Sequence, residues 1–458
     1  MKKIDLNGAK KIHFIGIGGI SMSGLAEVLK RDGYTVTGSD DVKKEVTDHL
    51  QDVGIPVFFP NRAENITHDI DMVVYTAAVK KDNPEYAAAL ATGKPLIERA
   101  VLLGLILKGY SHAVCVAGSH GKTSTTSLLA EIMVKANLDP TISIGGHMRM
   151  DGTNYRVGDS SYFLLEACEY SNSYHHWHPH LGIILNIDAD HLDFFGDEKG
   201  VIASFRKFAQ NIDTSGTLIV KKDTMGFDEV IRDLPCNIVT FGEKGAHFWA
   251  NSITHNELGH SAFDVMDGET FLARVNLPLP GEYNMLNALA AFAASAMLGV
   301  EPSVIVEALS SVRGVKRRYE YKGMYNGTVI IDDYAHHPTE IRECLAAAKK
   351  GVKGTLYCIF QPHTYTRTRN HLEDFSQAFE DADHIMLLPI YAAREKFDPT
   401  ISSLDLEKGI KNFGGDVIHF DDFEMAEKYL AQKLCPGDML ITMGAGDVSF
   451  VGESLLST

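Results

Sequence analysis

The stretch Gly118-Ser119-His120-Gly121-Lys122-Thr123-Ser124 holds the residue types that most directly suggest chemistry. An apolar run, Ala113–Ala117, precedes it, and a helical pattern from about Thr123 to Ala136 follows. Between a strand and a helix, glycines let backbone N–H groups approach phosphate oxygens, and the helix N-terminus favours negative charge. Lys122 supplies a point charge for the β- and γ-phosphates, and the Thr123 hydroxyl is placed to ligate a magnesium ion bridging them. The loop is a short G-x-x-G-K-T form, because the general G-x-x-x-x-G-K pattern needs glycine where Val116 stands. The bland alternative is a tight turn with an incidental lysine.

A second glycine loop, Gly16-Ile17-Gly18-Gly19-Ile20-Ser21-Met22-Ser23-Gly24, also sits between a strand and a helix. Gly16, Gly18 and Ser21 give G-x-G-x-x-S, with Asp40 following the next strand at a ribose-binding position. This reads as a nucleotide-diphosphate loop, with NAD as one candidate ligand and a packing turn as the other reading. Further on, Glu166 ends one strand and Asn186 to His191 follow another. The carboxyl ends of strands in open α/β sheets face the ligand crevice, so Glu166 and His191 are expected to converge on the metal held by Thr123. Magnesium prefers oxygen ligands, and a histidine in its shell keeps manganese open. The segment His175 to His180 superficially suggests zinc, but Pro179 breaks any helix carrying His176 and His180, which favours a loop without metal. Two later loops, Asp332 to Glu340 and Phe360 to Arg369, each follow a strand; both are expected at one sheet edge facing the phosphate loop, with Arg367 suited to bidentate carboxylate pairing.

These residues need a scaffold of short apolar strands alternating with helical patterns, the signature of parallel α/β sheets. Strands are predicted at Lys11–Ile17, Thr35–Gly38, Met72–Tyr75, Ala113–Ala117, Tyr162–Ala167, Leu181–Ile187, Thr328–Ile331, Thr355–Phe360, His384–Leu388 and Asp438–Thr442, with β excursions between about 245 and 280. At 458 residues the chain calls for roughly three domains. The expected boundaries are 1–107, 108–314 and 315–458. A net charge of −17 argues against a general nucleic-acid or membrane-surface binder, so any phosphate must be met by local donors. The six scattered cysteines form no C-x-x-C pair, which points to a reducing, cytoplasmic setting. The opening Met1-Lys2-Lys3 reads as the start of a strand–turn–helix and not as a signal peptide, and no run reaches the ~20 apolar residues of a membrane span.

Taken together and in order, the strings GIGGISMSG, GSD at 38–40, DNPE at 82–85, GSHGKTSTT at 118–126, EACEYSNSY at 166–174, NIDADHLD at 186–193, PGEYNMLNALAA at 280–291, RRYE at 317–320, DDYAHHPTE at 332–340 and FQPHTYTRT at 360–368 closely resemble the Mur ligase family. The likeness spans essentially the whole chain, and the short phosphate loop is the form this family has. The resemblance implies a Rossmann-like UDP-binding domain, a central P-loop ATPase α/β domain and a C-terminal Rossmann-like domain that closes over both. It implies ATP-dependent joining of L-alanine to the carboxylate of UDP-N-acetylmuramate in peptidoglycan precursor synthesis, with ATP and magnesium, as a monomer or homodimer. Attachment of a murein tripeptide to the same sugar is the runner-up.

Carried across residue by residue, Gly18, Gly19, Ser21, Met22 and Ser23 would contact the UDP-sugar, with Ser39 and Asp40 near its nucleoside. Lys122 and Thr123 would hold the ATP phosphates, and Thr123, Glu166 and His191 the metal. Asn284, Asn287 and Arg318 would hold the adenine or phosphate end, with Asp332 or Asp333 at the ribose. Tyr334, His336 and Arg367 would form the alanine side, with His336 helping to position or deprotonate the amine. Ser119, Tyr283 and Thr364 depart from common family forms, which bears on the adenine and amino-acid contacts. Outside the family, an NAD-dependent oxidoreductase explains the first loop and leaves the second without a purpose. A nucleotide-binding regulatory protein would keep both loops without substrate-dependent ATP turnover.

Overall fold

The computed structural model describes residues 4–76, 78–145, 154–256, 259–393 and 395–457, without the side chain of Asp193. The chain falls into two compact units, Met1–Trp249 with Ala290–Ile305, and Ala250–Leu289 with Val306–Thr458.

The first unit opens with a parallel sheet of β1 (Lys11–Ile15), β2 (Thr35–Ser39), β3 (Val57–Phe58), β4 (Met72–Tyr75) and β5 (Leu96–Glu98), ordered β3-β2-β1-β4-β5. Helix α1 (Ile20–Arg31) leaves β1 through the glycine loop, and α2 (Glu45–Asp52), α3 (Pro84–Ala91) and α4 (Arg99–Leu107) follow in turn. Strand order reverses between β2 and β4 around β1, so a crevice opens at the carboxyl end of β1, where the glycine loop stands. β1 is buried from Ile12 to Ile15, as expected for a strand covered on both faces.

The second sheet of this unit is built on β6 (His112–Ala117), with β7 (Thr141–Ser143), β8 (Tyr155–Arg156), β9 (Tyr162–Glu166), β10 (Leu181–Ile184), β11 (Thr217–Lys221) and β12 (Asn237–Gly242). β6 lies between β10 and β9, both parallel to it. The loop leaving β6 is thereby flanked by the ends of those two strands, and α5 (Lys122–Lys135) begins directly behind it. The sequence pattern carries the β10 strand to Ile187, yet it stops at Ile184. Beyond it, the Asn186 carbonyl accepts from Ser119 N–H at 3.1 Å, so the chain is spent on the phosphate loop in place of the ladder.

The second unit contains the remainder of β13 (Phe248–His255), then β14 (His260–Asp267) and β15 (Thr270–Pro280), the last two paired antiparallel. Its main sheet comprises β16 (Glu320–Tyr325), β17 (Thr328–Asp333), β18 (Leu356–Phe360), β19 (His384–Leu387), β20 (Val417–His419) and β21 (Met439–Met443), ordered β16-β17-β21-β18-β19-β20. β17 and β18 flank β21 in parallel, so the loops that leave them emerge at the same sheet edge. This is a mixed α/β architecture, as the alternation of strands and helices requires.

Within the first unit, α1 packs against β8 at Gly24. A Cβ added at Gly24 would lie 2.3 Å from the Tyr155 ring. Gly24→Ala should therefore destabilise the protein by about 1–3 kcal/mol through overpacking. A thermal melt unchanged from wild type would show that this helix does not bear on Tyr155.

Candidate active site

Backbone conformation sets the phosphate loop. Gly118 and Gly121 take φ of +149° and +80°, values that L side chains rarely adopt, and Gly121 is the left-handed N-cap of α5. The first-turn N–H groups of a helix have no intrahelical partner, so this end of α5, from Lys122 through Ser124, presents donors to an anion. Asn186 clasps the loop from the neighbouring strand end. Its Oδ1 accepts from His120 N–H at 2.8 Å, and its Nδ2 donates to His120 O at 3.1 Å. Ser119 Oγ accepts from Asp188 N–H at 2.9 Å, and the His120 ring meets Asp188 Oδ2 at 3.0 Å.

Lys122 lies over this loop. Its Nζ donates to Gly118 O at 2.6 Å and Ser119 O at 2.9 Å, and pairs with both Glu169 oxygens at 3.1 and 2.9 Å. Burial works against its charge, but the Glu169 carboxylate, with Cys168 and Glu166 nearby, carries its pKa above the ordinary lysine value. Thr123 Oγ1 donates to Glu166 Oε1 at 3.0 Å, and Glu166 Oε2 accepts from Gly145 N–H at 2.7 Å. His191 Nε2 is 3.8 Å from Glu169 and 3.6 Å from Asp190. Ligand atoms of Glu169, Asp190 and His191 all lie within 4.8 Å of one another. Thr123 and Glu166 are thus in direct contact, whereas His191 lies with Glu169 and Asp190, and Glu169 pairs with Lys122. Glu169 and Asp190 were missed as individual residues, although each lies inside a string singled out above. A donor set of carboxylates, one hydroxyl and one imidazole fits magnesium or manganese.

The glycine loop behaves differently. Gly18 N–H donates to Asp40 Oδ2 at 3.0 Å, Gly19 N–H to Gly16 O at 3.1 Å, and Gly16 and Ile17 N–H both to Ser39 O, at 2.9 and 2.8 Å. The loop's amides are therefore spent on its own shape, and Gly18 and Gly19 offer close approach instead of N–H donors. A Cβ at Gly18 would stand 2.7 Å from Asp40 Oδ2. The Asp40 carboxylate is committed to this loop and to Val42 N–H at 3.2 Å. Ser39 is fully buried, with its hydroxyl on Glu85. Met22 and Ser23 are turned inward, and the Ser23 hydroxyl donates to Ile20 O at 2.9 Å. Ser21 at the N-terminus of α1 stands partly exposed. In the histidine-rich segment, His175 and His176 end a 3-10 helix over Tyr170–His176, His175 meets Ser204 O, and His178 meets Asn211 O.

In the second unit, Asp332 is nearly inaccessible, with Arg317 Nε at 3.0 Å on one oxygen and Thr442 Oγ1 at 2.7 Å on the other. Asp333 accepts from Tyr319 N–H at 2.6 Å and Ala335 N–H at 2.7 Å; burial, opposed by Arg318, pushes it up to about 6. Both carboxylates thus hydrogen-bond within the second unit, Asp333 bracing the loop after β17. Arg317 and Arg318 each place their guanidinium carbon 5.2 Å from the Tyr334 ring centre. Asn284 Nδ2 donates to Pro280 O at 2.8 Å, whereas the buried Asn287 Nδ2 has no hydrogen-bond partner among the described residues. An orphaned buried donor costs stability unless a ligand meets it.

The residues expected on the amino-acid side do come together. His336 sits 5.4 Å from the Tyr334 ring and 5.7 Å from His363, and His363 Nδ1 is 3.2 Å from Arg367. Burial, then Arg367, holds His363 down at about 4. It is therefore neutral near pH 7, and because arginine can only donate, Nδ1 must be the acceptor. His336 Nδ1, 3.0 Å from Tyr334 O, carries its hydrogen, which makes Nε2 the basic nitrogen of the neutral ring. His363 was missed as a single residue because nothing in a sequence marks a histidine that orients an arginine.

Comparison with known proteins gives the family. Family models described as the Mur ligase family catalytic domain, the Mur ligase middle domain and the Mur ligase glutamate ligase domain match residues 11–111, 116–295 and 317–446. The chain belongs to the Mur ligase family. This Mur ligase is 46% identical to a UDP-N-acetylmuramate–L-alanine ligase of Lachnospira eligens over 458 residues, all of both chains. It is also 46% identical to that of Acetivibrio thermocellus, covering 99% of this chain and 97% of the other. Among solved structures it is similar to UDP-N-acetylmuramate-alanine ligase from Thermotoga maritima, with TM-score 0.78, 28% identity and 98% of each chain covered. A murein peptide ligase from Psychrobacter arcticus follows at TM-score 0.68 and 25% identity, again over 98% of each chain.

Removing the Asn186 clasp should loosen the phosphate loop at a cost of roughly 1–3 kcal/mol, since a buried amide loses its acceptor. Asn186→Ala should raise the KM for ATP in steady-state assays more than that for any other substrate, and an unchanged value would argue against the clasp. For His363 the folded pKa lies below the ordinary 6.5, so acidification protonates the unfolded chain first. Wild-type melting temperature should fall more steeply than that of His363→Gln between pH 6.5 and about 4. Parallel pH–melting curves would contradict the buried neutral state.

Proposed function

We propose that this chain joins L-alanine to the carboxylate of UDP-N-acetylmuramate with ATP, in peptidoglycan precursor synthesis. The observation that carries the reading is Lys122, charged and held over a left-handed glycine turn beside Thr123 and Glu166. A carboxylate resists amines because it is anionic and its leaving group would be oxide. One of its oxygens attacks the γ-phosphorus of ATP, the bond from that phosphorus to the bridging oxygen breaks, and ADP leaves. Lys122 neutralises charge spreading over the phosphoryl oxygens, so this step is mostly positioning and electrostatics. Thr123, Glu166 and His191, with Glu169 and Asp190, would hold magnesium or manganese, which supplies further charge neutralisation at the phosphates. Alanine nitrogen then attacks the acyl carbon, the carbon–oxygen bond to phosphate breaks, and phosphate departs.

Arg367, oriented by His363, is suited to the alanine carboxylate, and His336 Nε2 to accept a proton from the amine. Asn287 offers a buried donor to the nucleotide. Ser21 and the N-terminus of α1 suit a diphosphate of the UDP-sugar. Six free thiols suit a reducing setting, which supports a cytoplasmic location. No helix among the described residues is long and apolar enough to cross a membrane. The dinucleotide alternative leaves Lys122 without work, and the tripeptide alternative is attached to a relative of lower similarity.

ADP release should require both UDP-N-acetylmuramate and L-alanine, and mass spectrometry should show the alanyl product; a tripeptide adduct formed in preference would move the assignment to recycling. Lys122→Ala should lower kcat by at least about 100-fold, on the scale of a lost transition-state charge. Near-normal turnover would overturn its role. Arg367→Ala should raise the KM for alanine by about 10- to 100-fold, the worth of a charge-assisted hydrogen bond, while the KM for ATP holds. Equal effects on both substrates would remove it from the carboxylate.

A further inference from the structure

Asp82-Asn83-Pro84-Glu85 has no part in the chemistry above, yet it delivers a carboxylate to the core of the first sheet. Asn83 caps α3, its Oδ1 accepting from Glu85 N–H at 2.9 Å and Tyr86 N–H at 3.0 Å. This fixes the first turn of the helix with Pro84 at its start. Glu85 is fully buried, as is its partner His13 on β1. Glu85 Oε1 is 2.8 Å from His13 Nε2, and Oε2 accepts the Ser39 hydroxyl at the end of β2. His13 Nδ1 in turn is 2.8 Å from Thr37 Oγ1.

Two facts make this more than a satisfied core pair. A buried carboxylate bonded to a buried imidazole is seldom the most stable filling for its space, since apolar residues of similar volume commonly serve as well or better. Secondly, the residue that Glu85 grips carries the glycine loop. Ser39 O takes the N–H groups of Gly16 and Ile17, at 2.9 and 2.8 Å, and the next residue, Asp40, takes that of Gly18 at 3.0 Å. The shape of the loop, and with it the point where α1 begins after Gly19, hangs on where Ser39 sits.

We propose that Glu85 is a positioning residue for the nucleotide-sugar substrate, acting through Ser39 to hold the loop at 16–19 so that the N-terminus of α1 meets a diphosphate. The proposal rests on reading that loop as the UDP-sugar site. It assigns no contact between Glu85 and substrate.

The test compares Glu85→Gln and the paired apolar variant His13→Leu/Glu85→Leu with wild type. In Glu85→Gln, the KM for UDP-N-acetylmuramate should rise about tenfold, the scale of one weakened charge-assisted bond, while the KM values for ATP and L-alanine stay within about twofold. Calorimetric binding of UDP-N-acetylmuramate without ATP should weaken to match. The paired variant should melt near the wild-type temperature and show the same selective loss, which a merely structural role would not produce. Wild-type binding with unaltered affinity in both variants would overturn the role of Glu85 alone, as would equal rises in all KM values. A wild-type protein that binds no UDP-N-acetylmuramate would overturn the reading of the loop, and the proposal with it.

Discussion

A chain of net charge −17 that handles a triphosphate must build a local positive field and keep it from being cancelled. Here that field is concentrated at the turn between β6 and α5. Lys122, the helix N-terminus and the left-handed Gly121 supply it, while Glu166, Glu169 and Asp190 stand close by. The ion pair with Glu169 keeps the lysine charged in partly buried surroundings, since burial alone would favour its neutral form. The same carboxylates are the oxygen donors that a hard divalent cation prefers. One cluster thus serves two ends: it sustains the lysine and offers a seat for metal.

Rigidity around that cluster comes from neighbouring strand ends. Asn186 binds both the N–H and the carbonyl of His120, and Ser119 and Asp188 bond to each other. Strand β10 is shortened to supply these groups. The glycine loop of the first sheet follows the opposite strategy. Its amides are satisfied within the loop and by Ser39 and Asp40, which trades donors for a fixed shape. In the second unit, Asp332 and Asp333 hold the β17 loop, so Tyr334 and His336 are displayed beside His363 and Arg367. In each place hydrogen bonds from neighbouring segments hold the loop, and that pairing is what orients the side chains left at the edge.

Most of the scaffold was legible from periodicity and punctuation. Helix α1 follows the first glycine loop and β4 runs over Met72–Tyr75 as the pattern indicated, and the turn at Lys122 stood where glycines meet a helix start. The Thr123–Glu166 contact was inferable from the rule that strand ends face the crevice. The roles of Asp40, Ser39, Asp332 and Asp333 were not, because a carboxylate at a ligand position and one that braces a loop have the same letter. Glu169 meets Lys122 from 47 positions away, so no local spacing encodes that pair, and the four-residue spacing of His363 and Arg367 does not by itself mark a contact.

By itself, the sequence determined the α/β class, the location of both glycine loops, and the family, because these depend on local backbone freedom and on strings of residues in order. The tertiary structure decided which polar groups are consumed and which remain to bind. Burial and hydrogen-bond pairing are set by strands and loops that meet only on folding, so Lys122 acquires its counter-charge and Ser39 its brace from residues 47 and 46 positions away respectively.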